Sequence, residues 1–311
     1  MKRYPAGIMA TCCVPWTESN AFDEQTFRSS VRQIVGKGTK LVYVFGTAGE
    51  GYAVSESQFD QVVDAFSDEM RQQAAEPMVG VIHLSTETIL ERIRRCVDKG
   101  VTQFQISLPC WGAVTDDELF RYFEIICDSF PGCRFMHYNL PRAKRVLTGW
   151  EYGRLAELHA NLVATKNCGD SMSHIRGLLD GAPQLQHFLS ESGYVYGALF
   201  GQCSMLASLV INWPRLHALY AAGKRRDLDL MVEIQAEVNF VHSTLMRIVR
   251  GTRIDGAYDK IFAKMHDARF PLRLLPPYQG ANNDEFRRFV TALHKEAPGW
   301  VPDAAPRNES T

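Results

Sequence analysis

Short apolar runs alternate with amphipathic stretches through the first two-thirds of this 311-residue chain, and no other feature constrains its fold as strongly. Residues 7–13, 41–45, 78–82, 104–108, 134–138, 162–166, 185–189 and 199–205 form these runs. Most are nearly continuous in apolar side chains, the pattern of parallel strands covered on both faces. Between them lie helices with readable starts. Ser55-Glu56-Ser57-Gln58 and Thr115-Asp116-Asp117-Glu118 fit the capping box. They lead into Phe59, Val62, Val63 and Phe66, and into Leu119, Phe123 and Ile126, each set spaced for one helix face. Gly100 stands where a glycine closes a helix. Eight strand–helix units predict an α/β fold, a (β/α)8 TIM barrel. An open doubly wound sheet fits the first half as well, but no Gly-x-Gly-x-x-Gly follows the first run to bind a dinucleotide.

After Gly223 the pattern becomes helical. Leu230, Ile234, Val238, Val241, Leu245 and Ile248 make one long stripe, and Tyr258, Ile261, Phe262 and Met265 a shorter one. Phe286, Phe289, Val290 and Leu293 make a third. The expected organisation is a catalytic barrel over residues 1–223, a C-terminal helical appendage over 224–297, and a Pro-rich polar tail over 298–311 composed like a disordered segment.

Composition narrows the partners. Lys and Arg number 34 against 35 Asp and Glu, a net charge of −1. The densest basic stretch, Lys224-Arg225-Arg226, reads as a solvated helix start, so neither nucleic acid nor an anionic membrane is an expected partner. No apolar run approaches the roughly 18 residues of a membrane span. Met1-Lys2-Arg3 followed by residues 6–14 superficially resembles a signal peptide or a lipoprotein site ending at Cys12. Pro5 and Thr11 fit that poorly, and a first strand is the better reading. The eight cysteines include no Cys-x-x-Cys pair and suit a reducing compartment, so the expected location is cytoplasmic.

A barrel of this kind places its active site at the C-terminal ends of its strands. Three features fall there: the turn Gly46-Thr47-Ala48-Gly49-Glu50, the segment Tyr138-Asn139-Leu140-Pro141, and Lys166, which closes Leu162-Val163-Ala164. Taken singly, Lys166 reads as a strand-end lysine reaching out to water, Tyr138 as a core aromatic, and the turn as a tight connection. Taken together they suggest chemistry. A lysine at its ordinary pKa of about 10.4 is only about 0.04% unprotonated at pH 7, so desolvation that lowers the value to roughly 7 makes a nucleophilic amine. Tyr138 could move protons to and from a carbinolamine and imine. The N–H groups of the turn could cradle a carboxylate, with the Thr47 hydroxyl linked to Tyr138.

This constellation resembles the dihydrodipicolinate synthase / N-acetylneuraminate lyase family of pyruvate-dependent class I aldolases. The likeness runs from about Gly7 onward, through Gly46-Thr47-x-Gly49-Glu50, Tyr138-Asn139-x-Pro141, and Lys166 28 residues after Tyr138. It implies that Lys166 is the Schiff-base lysine, Tyr138 the proton shuttle and Thr47 the residue that orients it. It also implies that the backbone of Thr47 and Ala48 holds the keto-acid carboxylate. No metal or organic cofactor is implied, and the expected assembly is a homo-oligomer, a tetramer or dimer.

Several positions depart from the family pattern. Ala48 replaces a second Thr or Ser, and Pro109-Cys110-Trp111 stands where the synthase has Pro-Tyr-Tyr. An indole N–H only donates, so Trp111 cannot relay a proton as that tyrosine does. Ala143 occupies the synthase's arginine position, flanked by Arg142, Lys144 and Arg145. Asn167 replaces an acidic residue, and Glu191 lies near a usual glycine. Cys110, Cys168 and Cys203 are expected near strand ends as packing residues or, less simply, a thiol metal cluster, with Cys203 a candidate substrate contact. His83 either touches substrate or simply ends a strand, and His137 should turn away from the barrel centre. The leading reading is a Schiff-base-forming aldolase or dehydratase acting on a small-molecule 2-keto acid, pyruvate or a 2-keto-3-deoxy acid. The alternatives are 4-hydroxy-tetrahydrodipicolinate synthase with an altered site, and a non-catalytic barrel that binds a keto acid.

Overall fold

A computed structural model of the chain describes residues 3–169, 171–251 and 253–303. Eight parallel strands close into a barrel in sequence order. They are β1 (Ile8–Thr11), β2 (Leu41–Val44), β3 (Met78–Gly80), β4 (Gln103–Ile106), β5 (Arg134–Asn139), β6 (Leu162–Asn167), β7 (Gln186–Leu189) and β8 (Ser204–Ala207). The helices that follow them are α1 (Glu24–Lys37), α2 (Glu56–Gln72), α3 (Thr86–Asp98), α4 (Asp116–Ser129), α5 (Gly149–Leu158), α6 (Met172–Gly181), α7 (Glu191–Phe200) and α8 (Trp213–Arg225). Three more complete the chain: α9 (Leu228–Ile248), α10 (Gly256–His266) and α11 (Asn283–Glu296). The (β/α)8 barrel with a helical C-terminal appendage is thus the architecture. Among the described residues no helix is long and apolar enough to cross a membrane.

Local signals place the elements. Ser55 and Thr115 cap α2 and α4, with Gln58 and Glu118 completing the capping boxes. Gly100, at φ 78°, follows α3 in the left-handed conformation that a side chain would disfavour. The eighth strand differs from the sequence reading. Leu199 and Phe200 close α7, and the strand starts at Ser204, because a short apolar run suits a helix end as well as a strand.

The barrel is filled from within. Met9, Met78, Met136, Ala164, Phe188 and Leu206 pack together inside it, and Tyr4 closes the lower end through a 2.6 Å hydrogen bond to Gln103. This interior is a floor, not a pore. The long stripe on α9 buries Ile234, Val238, Val241 and Leu245, and Phe262 of α10 meets Phe289 of α11 edge-on at 6.1 Å. The expected boundary at 224 falls within the last turn of α8. At the start of the Pro-rich tail, Pro298–Trp300 form a 3-10 turn whose Trp300 is buried and donates to Glu237 at 2.9 Å. Residues 304–311 of that tail lie outside the described residues.

Candidate functional site

The turn after β2 is a strained piece of backbone. Phe45 and Glu50 both stand in the left-handed region, at φ 64° and 60°, a conformation that for non-glycine residues persists only where the surroundings enforce it. Two glycines make room: a Cβ on Gly80 would come 2.2 Å from the Phe45 carbonyl oxygen, and one on Gly49 2.7 Å from the Phe45 nitrogen. Glu50 fixes the far end. Its buried carboxylate pairs with Lys260 of α10 at 2.6 Å, accepts from Trp16 at 2.9 Å and accepts the Leu275 N–H at 2.6 Å. The Glu50 N–H goes to the Thr47 carbonyl. The N–H groups of Thr47 and Ala48 find no acceptor among the described residues, which suits a cradle for an anion.

Strand pairing puts Tyr138 directly beside Lys166, and Tyr43 directly beside Thr11. All four side chains line one cavity of about 400 Å³ at the C-terminal ends of the strands. Lys166 Nζ donates to the Tyr43 hydroxyl at 2.8 Å. It also sits 3.5 Å from the centroid of the Tyr138 ring, above the ring's face, a cation–π contact. The Tyr138 hydroxyl accepts a weak bond from the Cys168 thiol at 3.6 Å. On the opposite face of the sheet Asn139 donates to Asn167 at 3.0 Å and accepts the Leu147 N–H at 2.8 Å. That pairing clamps β5 to β6 one residue beyond Tyr138 and Lys166. The departure at Asn167 is therefore an outer-face fixture, outside the Lys166 cavity.

The electrostatics differ from the simple desolvation expected of a nucleophilic lysine. Burial pushes the Lys166 amine toward neutrality, but Tyr138, Tyr43 and Cys168, with the hydrogen bond to Tyr43, push harder the other way, and the amine lies above its ordinary value. Burial also raises both phenols, with Lys166 opposing. At neutral pH Lys166 is thus an ammonium held between two neutral phenols. Across the cavity stand Asp255 and Asp259, with Glu191. Burial and the neighbouring Asp255 and Glu191 push the Asp259 carboxyl well above the usual carboxylate range, with Lys166 opposing. Glu191 accepts the Ser208 and Leu209 N–H groups at 2.6 and 2.9 Å.

The other residues singled out by sequence separate in space. Ala48 lines the Lys166 cavity, whereas Thr47 lines a neighbouring one of about 560 Å³, with His83, Cys110 and Arg142. No hydrogen bond joins the Thr47 side chain to Tyr138 among the described residues. Cys203 precedes β8 at the opposite end of the barrel and lines a different cavity, since the strand begins later than its apolar run suggested. The three cysteines 110, 168 and 203 are therefore apart, and among the described residues no cluster of His, Cys, Asp and Glu could hold a metal. His83 accepts the Ser85 N–H at 3.0 Å, and His137 turns outward to the Tyr152 hydroxyl at 2.7 Å. Arg145 is engaged by Asp116 and Glu151, and Lys144 donates to the Trp111 carbonyl. Arg142 alone of that trio reaches the site, where it pairs with Asp255 at 3.0 Å.

Sequence reasoning missed Tyr43, Asp255 and Asp259. Tyr43 could have been found from strand alternation, because it lies an even number of residues from Leu41 on the inward face. The two aspartates carry no such signal, being brought over the barrel mouth by α10 and the segment before it.

A model of the dihydrodipicolinate synthetase family matches residues 4–254. A 4-hydroxy-tetrahydrodipicolinate synthase of Methanopyrus kandleri is 22% identical over 86% of this chain and 90% of its own length. An N-acetylneuraminate lyase of Escherichia coli is 23% identical over 79% of this chain and 84% of its own. Among solved structures, YagE of E. coli K12 in complex with pyruvate superposes with a TM-score of 0.80 at 16% identity, covering 93% of this chain and 98% of that one. With its barrel, its strand-end lysine and tyrosine, and a family match over most of its length, this chain belongs to the dihydrodipicolinate synthetase family, a family of pyruvate-dependent class I aldolases.

Proposed function

We propose that this chain is a Schiff-base-forming lyase that acts on pyruvate or a 2-keto-3-deoxy acid through Lys166. The observation that carries this reading is the Lys166 amine, buried at the strand ends between two phenols and open to a cavity large enough for a small acid. In this reading the free N–H groups of Thr47 and Ala48 receive the keto-acid carboxylate. Lys166 attacks the keto carbon, and the protonated imine draws electrons from the bond beyond it. Aldol cleavage and loss of water both begin from that imine. The rest of the substrate would extend toward Asp255, Asp259 and Glu191, acceptors that suit hydroxyl groups better than a second carboxylate. The relatives support the same reading: one is named a synthase and one a lyase, and YagE is described in complex with pyruvate.

The test is borohydride reduction in the presence of pyruvate, followed by intact mass and peptide mapping. One reduced pyruvyl group on Lys166 is expected, and Lys166→Arg should abolish it, because a guanidinium stays protonated. An adduct on any other lysine, or none at all, defeats the assignment.

A further inference from the structure

We infer that Tyr43 is a catalytic residue: its hydroxyl, rather than that of Tyr138, carries protons to and from Lys166 Nζ as the imine forms. This rests on the Schiff-base reading above and adds to it a division of labour between the two phenols.

The geometry distinguishes them. Tyr43 presents its oxygen to the amine at 2.8 Å, within hydrogen-bond reach. Tyr138 presents its ring face to Nζ, and its hydroxyl accepts a weak bond from the Cys168 thiol instead. A π face stabilises an ammonium but accepts no proton from it. Among the described residues the Tyr43 hydroxyl is the hydrogen-bond partner of Nζ. Tyr43 is buried on β2 among apolar neighbours, where a phenylalanine would fill the same space.

The chemistry needs such a relay. An ammonium and a ketone become a protonated imine and one water, with no net gain or loss of protons. An ammonium has no free electron pair, so one N–H proton first passes to the Tyr43 oxygen, and the freed pair forms the C–N bond as the carbonyl π pair moves to oxygen. Two of the three N–H protons must then reach that oxygen before the C–O bond breaks and water leaves. A phenol that accepts at its oxygen while giving up its own proton can pass both along. Thr11, paired with Tyr43 across the strands, lines the same wall and leaves this end of the cavity polar. Tyr138 is then free to act later, on the substrate side, where bonds beyond the imine carbon break.

The experiment is rapid mixing of the full chain with pyruvate and a borohydride quench at set times, so that the rate of imine formation is read by mass apart from turnover. Tyr43→Phe should slow imine formation about 100-fold or more, whereas Tyr138→Phe should stay within about tenfold of the native chain. Native-rate adduct formation in Tyr43→Phe overturns the inference, as does an equal or greater loss in Tyr138→Phe. A fluorinated tyrosine at position 43 keeps the shape and lowers the phenol pKa. It should move the pH profile of imine formation toward acid, and an unmoved profile counts against the proton role even if Tyr43→Phe folds poorly. If the native chain itself forms no adduct, the Schiff-base reading fails first. An adduct that forms regardless of the residue at position 43 defeats this inference alone.

Discussion

Two phenols flank one amine, Tyr43 through its hydroxyl and Tyr138 through its ring face. Tyr138→Phe keeps the ring beneath Lys166 and so keeps the cation–π contact at 3.5 Å. It removes only the hydroxyl that now meets the Cys168 thiol. If that hydroxyl moves protons on the substrate, turnover should fall about 10²–10⁴-fold, the usual worth of a positioned acid–base group, while the pyruvate adduct still forms. Steady-state rates with a cleavable 2-keto-3-deoxy acid, set beside the trapping rate, make the comparison. Native turnover in the variant would show that the hydroxyl plays no chemical part. The ring itself is a different matter: Tyr138→Ala would expose the ammonium and confound both readouts.

At the scale of elements, the site is held by what lies behind the sheet. His137 and His187 alternate with the inward residues on β5 and β7, and both are buried against helices, His137 on Tyr152 and His187 on Thr165 and the Ala182 carbonyl. Burial lowers their pKa values to about 3 and about 4. The unfolded chain takes up these protons near pH 6.5, the folded chain only far lower. Each histidine thus contributes stability that is intact above about pH 6.5 and falls by about 1.4 kcal/mol per pH unit below it. Urea melts at pH 7, 6 and 5 should show His137→Gln losing less stability on acidification than the native chain, by about that slope. Parallel losses would mean that His137 titrates normally in the fold. His137 could be assigned to the outer face from alternation alone, and seven of the eight strands from their continuous apolar runs. The eighth could not, since Leu199 and Phe200 serve a helix end as readily as a strand. That the Lys166 amine lies above rather than below its ordinary value was beyond reach, because it depends on Tyr138 and on Tyr43, the latter 123 residues away in sequence but 2.8 Å away in space.

Across the whole molecule, the barrel supplies the amine and the appendage supplies the opposite wall. Lys260 of α10, buried against Glu50 of the β2 turn, ties the two together beside the free Thr47 and Ala48 N–H groups. The same helix, with the residue before it, brings Asp255 and Asp259 over Lys166. This arrangement bears on synthase activity, which joins pyruvate to aspartate semialdehyde and needs a cation for a second carboxylate. Of the three basic residues after β5, Lys144 and Arg145 are turned away, and Arg142 is already neutralised by Asp255. Ala143 is buried, and Trp111 is 83% exposed with only an N–H to donate. A carboxylate without a charged partner forgoes about 1.5–3 kcal/mol, or roughly 10- to 150-fold in affinity. With the distal proton relay missing as well, condensation should run at least about a thousandfold below a dedicated synthase. Asp255→Asn releases Arg142 and should recover part of that deficit through a lower KM for the aldehyde, with little change in the rate of imine formation. A coupled assay of pyruvate and aspartate semialdehyde consumption decides it. A native kcat/KM above about 10⁴ M⁻¹s⁻¹, within the range of efficient enzymes, would make the chain a synthase despite its acidic wall.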